Sequence, residues 1–459
     1  IYGVETIYMF NKDFRFGIGV ASYQVEGAYN LDGKVPSIWD VFTHTKGRIV
    51  DSSNGDVCLD FYHRYKEDID IAKDLGIQDF RLSLSWCRII NENQSINIKG
   101  IAFYRNVLSY IKECGMRPVV TLFHWDMPEY LDEKGGWENR DIVKYYGTYV
   151  QAVADNLSDL IDTYLTFNEP QCFIGMGLRG VEHAPLRKAS IEGLLAASHH
   201  VLISHALAYQ ILKKKNPNCE VGFVNTCTPM IPEDKKDKDL YKACSDELFR
   251  IDDLEEDFTS FPLFTDPLYL GDYPSNVKKR YASLLKEIIK PGDMELLQKA
   301  KQKQVYLNIY TGHQCRLVNG HLASLYDSKI EDQTSFEWLK VQPEALYYGP
   351  KYVYERYHLP IVISENGEPF DDKLVAGRVE DSYRSKFINL YLAQLDKAYQ
   401  EGTPITGYYY WSLLDNFEWA YGYTKRFGLI YIDYRNNLKR IKKNSFYTYQ
   451  KIIKDTTKK

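Results

Sequence analysis

The 459-residue chain is predicted to fold as an α/β protein, a single (β/α)8 barrel with elaborated βα loops. Three observations predict it. Apolar runs of strand length recur along the whole chain, segments with helical period lie between them, and polar and aromatic residues gather where the runs end. Near-continuous apolar strands alternating with helices imply a parallel sheet covered on its faces. Eight such runs close a barrel more readily than they extend an open sheet.

The runs, in order, are Phe14–Tyr23, Asp79–Trp86, Arg117–Trp125, Thr163–Asn168, Cys219–Asn225, Val305–Tyr310, Pro360–Ser364 and Ile405–Trp411. Between the first and second, FYHRYKEDIDIAKDLG places Tyr62, Tyr65, Ile69 and Ile71 near one face and ends on Lys73 and Gly76. That is the period and stop signal of an amphipathic helix. Before the eighth run, SKFINLYLAQLDKAYQEG repeats the pattern with Phe387, Leu390, Leu392, Leu395 and Ala398, then Gly402. The apolar stretch Leu194–Leu212 carries Ser198, His199, His200, Ser204 and His205, so it reads as a buried helix and not a membrane span. Residues 232–257, PEDKKDKDLYKACSDELFRIDDLEED, read as a solvated excursion after the fifth run. The whole of 1–459 is taken as one domain, with a polar tail, 454–459, expected to fray.

Composition removes several classes of function. A net charge of −5 gives no field for a polyphosphate, so nucleic acid is not an expected partner. No lipid-anchor signal or membrane segment is found, and no motif calls for a cofactor. The eight cysteines are scattered without a Cys-x-x-Cys pair, so no zinc ribbon is expected. His199, His200 and His205 lack metal-ligand spacing and are expected in packing roles; no metal is called for. Two sequons, at Asn93 and Asn156, fit a glycoprotein. The start, IYGVETIYMF, lacks a charged residue leading into an apolar core. Secretion with a leader already removed is the expected localisation, with the cytoplasm as the alternative.

In a parallel barrel, chemistry gathers at the strand C-termini. The first run ends near Gln24 and Glu26, the third at His124 and Trp125, and the fourth at Asn168 and Glu169. The sixth delivers Asn308 and Tyr310, the seventh Glu365 and the eighth Trp411. Glu169 and Glu365 thus sit on strands roughly opposite across the mouth. Facing carboxyls are the requirement of glycoside hydrolysis: one protonated to assist the leaving oxygen, the other ionised to attack or to activate water. A separation of roughly 5–5.5 Å selects direct attack and retention of configuration. Arg81 and Tyr310 are expected to keep Glu365 ionised.

The stretches FRFGIGVASYQVEGA, FHWDMPEYL, TFNEP, ISENG and YYYWSLLDNFEWAYGYTKRFGLIYIDY, in that order, resemble glycoside hydrolase family 1, the β-glucosidase family. The resemblance runs from Phe14 to about Ile453. It implies Glu169 as general acid/base and Glu365 as nucleophile. It also implies that Gln24, His124, Trp125, Asn168, Glu418 and Trp419 hold sugar hydroxyls, that Trp411 stacks on the sugar, that Phe427 borders the 6-position and that Trp338 flanks the aglycone. The 6-phosphoglycosidase branch usually has Ser at the position of Glu418, Lys at that of Lys425 and Tyr at that of Phe427, so Lys425 matches it and Glu418 and Phe427 do not. A carboxylate there repels phosphate, so unphosphorylated β-glucosides are the expected substrates.

The acceptor side departs from the usual family pattern. Arg179, His313 and Arg316 lie in unusual loop stretches and are candidates to face a polar or anionic aglycone, such as a glucosinolate sulfate. A myrosinase-like thioglucosidase is therefore an alternative, although such enzymes in plants carry Gln where this chain keeps Glu169. A catalytically inactive sugar-binding co-receptor is the alternative of another class; such proteins typically lack one of the two glutamates.

Overall fold

The computed structural model describes residues 8–255, 260–325 and 334–457. Eight parallel strands close a barrel: β1 (Arg15–Gly19), β2 (Asp79–Ser83), β3 (Arg117–Thr121), β4 (Thr163–Asn168), β5 (Glu220–Thr226), β6 (Val305–Asn308), β7 (Ile361–Asn366) and β8 (Ile405–Trp411). Each strand pairs with its sequence neighbours, and β8 returns to β1 in the register Arg15↔Gly407 to Gly19↔Trp411. The main covering helices are α1 (Phe61–Leu75), α2 (Ile98–Glu113), α3 (Ile142–Leu157), α4 (Ile191–Lys215), α5 (Ala345–Tyr357), α6 (Ser382–Gln400) and α7 (Asn444–Thr457).

The barrel interior is stratified. At the N-terminal end Asp79 is fully buried and receives Arg15 Nε at 2.7 Å, Arg117 Nη2 at 2.7 Å and Tyr409 Oη at 2.8 Å. Above that plug, Val119, Leu165, Val224, Tyr306, Val362 and Tyr409 fill the lumen. Their close packing seals the lower barrel and leaves only the C-terminal mouth for a ligand. Gly17 and Gly222 admit the bulky rings: a Cβ at Gly17 would lie 2.6 Å from Tyr409 Cδ1, and one at Gly222 2.5 Å from Tyr306 Cε2.

Every predicted run contains one barrel strand, but the first three strands and the sixth end early, at Gly19, Ser83, Thr121 and Asn308. After β1 the chain forms a helical turn at Ser22–Val25, and after β2 another at Trp86–Ile89. These turns are buried on all sides, so their residues continue the apolar run without continuing the strand. The charged excursion after β5 is not wholly solvated. It contains the helix Lys238–Leu248, capped by Asp237, and that helix buries Leu240, Cys244 and Leu248. Spacing of four gave these three residues one face, which the surrounding charges masked. Glu256 and Asp257 lie outside the described residues.

At the C-terminal end α7 continues through Thr457 and buries Thr456, whose hydroxyl donates to the Ile452 carbonyl at 2.8 Å. Residues 458–459 lie outside the described residues. All eight cysteines are free thiols. Among the described residues no helix is long and apolar enough to cross a membrane.

Candidate active site

Glu169 and Glu365 meet at the C-terminal mouth. The backbone N–H of Glu169 donates to the Val224 carbonyl, and the residue adopts φ +48°. This left-handed backbone is uncommon for a residue with a side chain, and Pro170 follows it at once. Trp125 and Trp419 have φ of +81° and +46°, so three residues at one mouth share the same unfavourable conformation. Such clustering marks functional sites, where surrounding structure enforces it.

Asn308 joins the pair. Its amide nitrogen donates to Glu169 Oε1 at 2.7 Å and to Asn168 Oδ1 at 3.1 Å, and Asn308 also helps to favour the ionised form of Glu365. The Asn308 carbonyl oxygen is itself held by the Ser364 hydroxyl at 2.8 Å.

Arg81 makes the pair unequal. One nitrogen meets Glu365 Oε1 at 2.7 Å and the Ser364 carbonyl at 2.9 Å; another meets Asn168 Oδ1 at 2.7 Å; Nε donates to Thr121 at 3.1 Å. The Tyr310 hydroxyl donates to the other oxygen of Glu365 at 2.5 Å. Burial pushes both carboxyls up from their ordinary range, but Arg81 and Tyr310 oppose this at Glu365. Glu169 has no cation in direct contact. Burial, then the charge of Glu365, raises it to about 7, against the opposing pull of Asn308, Cys172 and Arg81. The shared proton therefore belongs on Glu169.

The inner wall presents groups suited to hydroxyls. Gln24 donates to the Phe417 carbonyl at 2.8 Å and to Glu418 at 3.3 Å, while its buried Oε1 has no partner within the protein. An orphaned buried acceptor is costly until a donor arrives. Burial first, then Glu365, pushes the Glu418 carboxyl up to about 8. His124 is held neutral by burial, and its Nε2 lies 3.2 Å from Asn168 Nδ2. Trp411, Trp419 and Phe427 line the same pocket. The Trp125 ring does too, but its indole N–H donates to the Asn168 carbonyl at 2.8 Å. Trp125 thus both walls the pocket and braces Asn168.

Farther out, Trp338 lines the pocket at 53% exposure, with Phe336, Leu339, Met176, Thr226, Thr228 and Thr311. Arg179, His313 and Arg316 are not among the residues that line this pocket. Arg179 donates to the Glu255 carbonyl, and His313 and Arg316 belong to the strand His313–Val318, which forms a small sheet with Met230–Pro232 and His321–Ser324. Among the described residues that line this side, the charge is negative: Glu182, beside His183, with no lysine or arginine. Lys425 is tied to the Ser335 carbonyl and sits over the Phe336 ring.

Cys172 and Glu182 were missed in the sequence. For Cys172 the signal was available: a helical turn opened by Pro170 returns the residue three positions on from Glu169 over its carboxyl. Its Sγ lies 3.1 Å from Glu169 Oε2. The histidines of α4 have structural partners: His199 bridges Tyr273 and Asp293, His200 meets the Trp137 carbonyl, and His205 meets Thr166.

A closed parallel barrel with paired carboxyls at its mouth, amid aromatic walls and hydroxyl-seeking groups, defines a glycoside hydrolase. The model of glycosyl hydrolase family 1 matches residues 7–458, and the chain belongs to that family. It is similar to β-glucosidase A of Acetivibrio thermocellus, 38% identical with 97% of this chain and 98% of that protein covered. It is 37% identical to β-glucosidase 42 of Arabidopsis thaliana, covering 97% and 94%. Among solved structures, the β-glucosidase of Thermotoga maritima in complex with deoxynojirimycin superposes with a TM-score of 0.85 at 35% identity, covering 98% of this chain and 99% of that one. The family 1 β-glucosidase of Exiguobacterium antarcticum gives 0.86 at 32% identity, covering 98% and 99%. The protein is a β-glucosidase-like glycoside hydrolase.

Proposed function

We propose that the protein hydrolyses unphosphorylated β-glucosides with retention of anomeric configuration, by two displacements at one carbon. The observation that carries this reading is the unequal pair: Arg81 and Tyr310 hold Glu365, while Glu169 meets only the neutral donors Asn308 and Cys172. Ionised Glu365 attacks C1 as protonated Glu169 gives its proton to the departing glycosidic oxygen. A covalent glycosyl ester on Glu365 results. Glu169, now a carboxylate, takes a proton from water as that water attacks C1, and Glu365 leaves.

Substrate chemistry follows from the walls. Gln24 Oε1 and Glu418 accept from sugar hydroxyls, and the Trp411 ring supports the sugar's C–H face. With no lysine or arginine among the described residues that line it, the pocket offers no ionic partner to a phosphorylated sugar. The same electrostatics disfavour a sulfated aglycone, and intact Glu169 argues for O-glycosides over glucosinolates. Phe336, Trp338, Leu339 and Met176 suit a neutral aromatic leaving group.

The test is direct. Incubation with a 2-deoxy-2-fluoro-β-glucoside bearing an activated leaving group is expected to stop turnover and to add one fluoroglucosyl group to the peptide containing Glu365, read by mass spectrometry. A label on another residue, or product released with the opposite anomeric configuration in proton NMR, rejects the reading.

A further inference from the structure

The carboxyl of Glu169 is held at both oxygens. Asn308 Nδ2 donates to Oε1 at 2.7 Å, and Cys172 Sγ reaches Oε2 at 3.1 Å. Because Oε1 accepts from an amide, a proton on this carboxyl resides on Oε2, the oxygen that Cys172 touches. Cys172 is also among the groups lining the pocket. It is anchored from the same turn, since its backbone N–H donates to the Glu169 carbonyl at 3.0 Å.

We propose that Cys172 is a positioning residue for the acid/base of the reaction proposed above: its S–H holds Oε2 and favours the carboxylate form of Glu169. The inference rests on that reading of Glu169. The thiol keeps its own proton throughout the cycle and donates its hydrogen bond most strongly when Glu169 is ionised, between the two displacements. It is suited to this because burial in the pocket, then the carboxylates of Glu169, Glu365 and Glu182, push its ionisation well above the ordinary thiol range. A thiol so placed is a donor at every working pH.

The other groups facing Glu169 come from the surrounding strands and loops. Glu365 on β7 opposes its ionisation, while Arg81 on β2 and Asn308 on β6 favour it. Tyr310 after β6 and Glu418 after β8 lie within electrostatic reach of it, and His124 after β3 is neutral. Against Glu365, Asn308 and Cys172 are the hydrogen bonds that hold the acid/base near neutrality. Removing one of them moves its ionisation upward.

The experiment is the pH dependence of kcat/KM for a β-glucoside with a poor leaving group, measured on the full-length wild type and on the Cys172→Ala and Cys172→Ser variants. The basic limb reports loss of the proton from Glu169. For Cys172→Ala it is expected to move up by about half a unit, the size of one modest hydrogen bond. For Cys172→Ser, whose hydroxyl restores a donor, it is expected to return to the wild-type position or below. Serine is close to cysteine in size, so this variant reads the donor even if alanine destabilises the fold. A limb unmoved in all three proteins, or moved equally by alanine and serine, overturns the positioning role. A wild type with no turnover of any β-glucoside overturns the functional reading and this role with it.

Discussion

Glu169 and Glu365 show how one pocket gives two identical side chains different protonation states. Burial acts on both in the same direction, so it does not separate them. The separation comes from Arg81 and Tyr310, which contact Glu365 and not Glu169. The consequence is a bell-shaped pH profile with assigned limbs. Activity requires Glu169 protonated, so kcat/KM is expected to fall as pH rises through about 7. It requires Glu365 ionised, so activity also falls as pH drops through that group's raised value. Replacing Glu169 with Gln removes the proton donor and then the base. The expected loss is on the order of 10²–10⁴ in kcat/KM for poor leaving groups, smaller for good ones. External azide, which needs no base to attack the glycosyl ester, is expected to restore turnover of activated substrates and to yield a β-glycosyl azide. Failure of azide to raise turnover of Glu169→Gln would separate this residue from the second displacement.

At the scale of the element, β1 shows how a strand carries both stability and the site. A Cβ at Gly19 would stand 2.7 Å from Trp411 Cε3, and one at Gly17 would stand 2.6 Å from Tyr409 Cδ1 and 2.7 Å from the Asp79 carbonyl. Both glycines admit a ring from β8, one at the mouth and one in the sealed lumen. Substitution by alanine at either is expected to cost about 1–3 kcal/mol by overpacking. Only Gly19→Ala displaces the pocket tryptophan, so KM for a glucoside is expected to rise in that variant and stay near wild type in Gly17→Ala. Equal KM values in the two folded variants would detach Trp411 from sugar binding. The strands were legible in the sequence because barrel strands are buried on both faces and read as unbroken apolar runs. The residues that end them, Asn168, Glu169, Asn308 and Glu365, were legible for the same reason: the end of a run fixes where its next side chains stand. The aglycone side was not. Arg179, His313 and Arg316 lie on segments whose paths are set by contacts remote in sequence, such as Arg179 to Glu255 and His313–Val318 beside Met230–Pro232. Side-chain type alone did not mark Glu182 as a residue that lines the pocket.

At the scale of the whole molecule, the barrel's last quarter must hold two site-bearing segments that leave the sheet, one after Glu365 and one through Glu418. A buried ionic network fastens them. Arg384 on α6 binds Asp372 at 2.9 Å and Asp381 at 2.7 Å, and Lys443 before α7 binds Asp372 at 2.5 Å and Asp415 at 2.7 Å, with all five side chains inaccessible to solvent. Arg426 closes the set on Asp415 at 2.6 Å, and Ser445 donates to Asp381 through its backbone N–H and its hydroxyl. Every charge here has an opposite neighbour, and deleting one leaves the others stranded away from water. Breaking such a network by removing one member costs about 3–5 kcal/mol. Asp372→Ala is therefore expected to lose that much in chemical denaturation, because it strips a partner from both Arg384 and Lys443. The network also predicts an acid limit. Burial alone would raise Asp372, but Arg384 and Lys443 outweigh it and hold the carboxyl at about 2, below its ordinary 3.8. A carboxylate held lower in the folded chain than in the unfolded one stabilises above its ordinary value and stops doing so as pH falls through the folded one. Wild-type stability is expected to decline between about pH 4 and pH 2 partly through this group, and Asp372→Ala to show a shallower decline from a lower plateau. Parallel curves for the two proteins across that interval would mean that Asp372 is not held low by its cations.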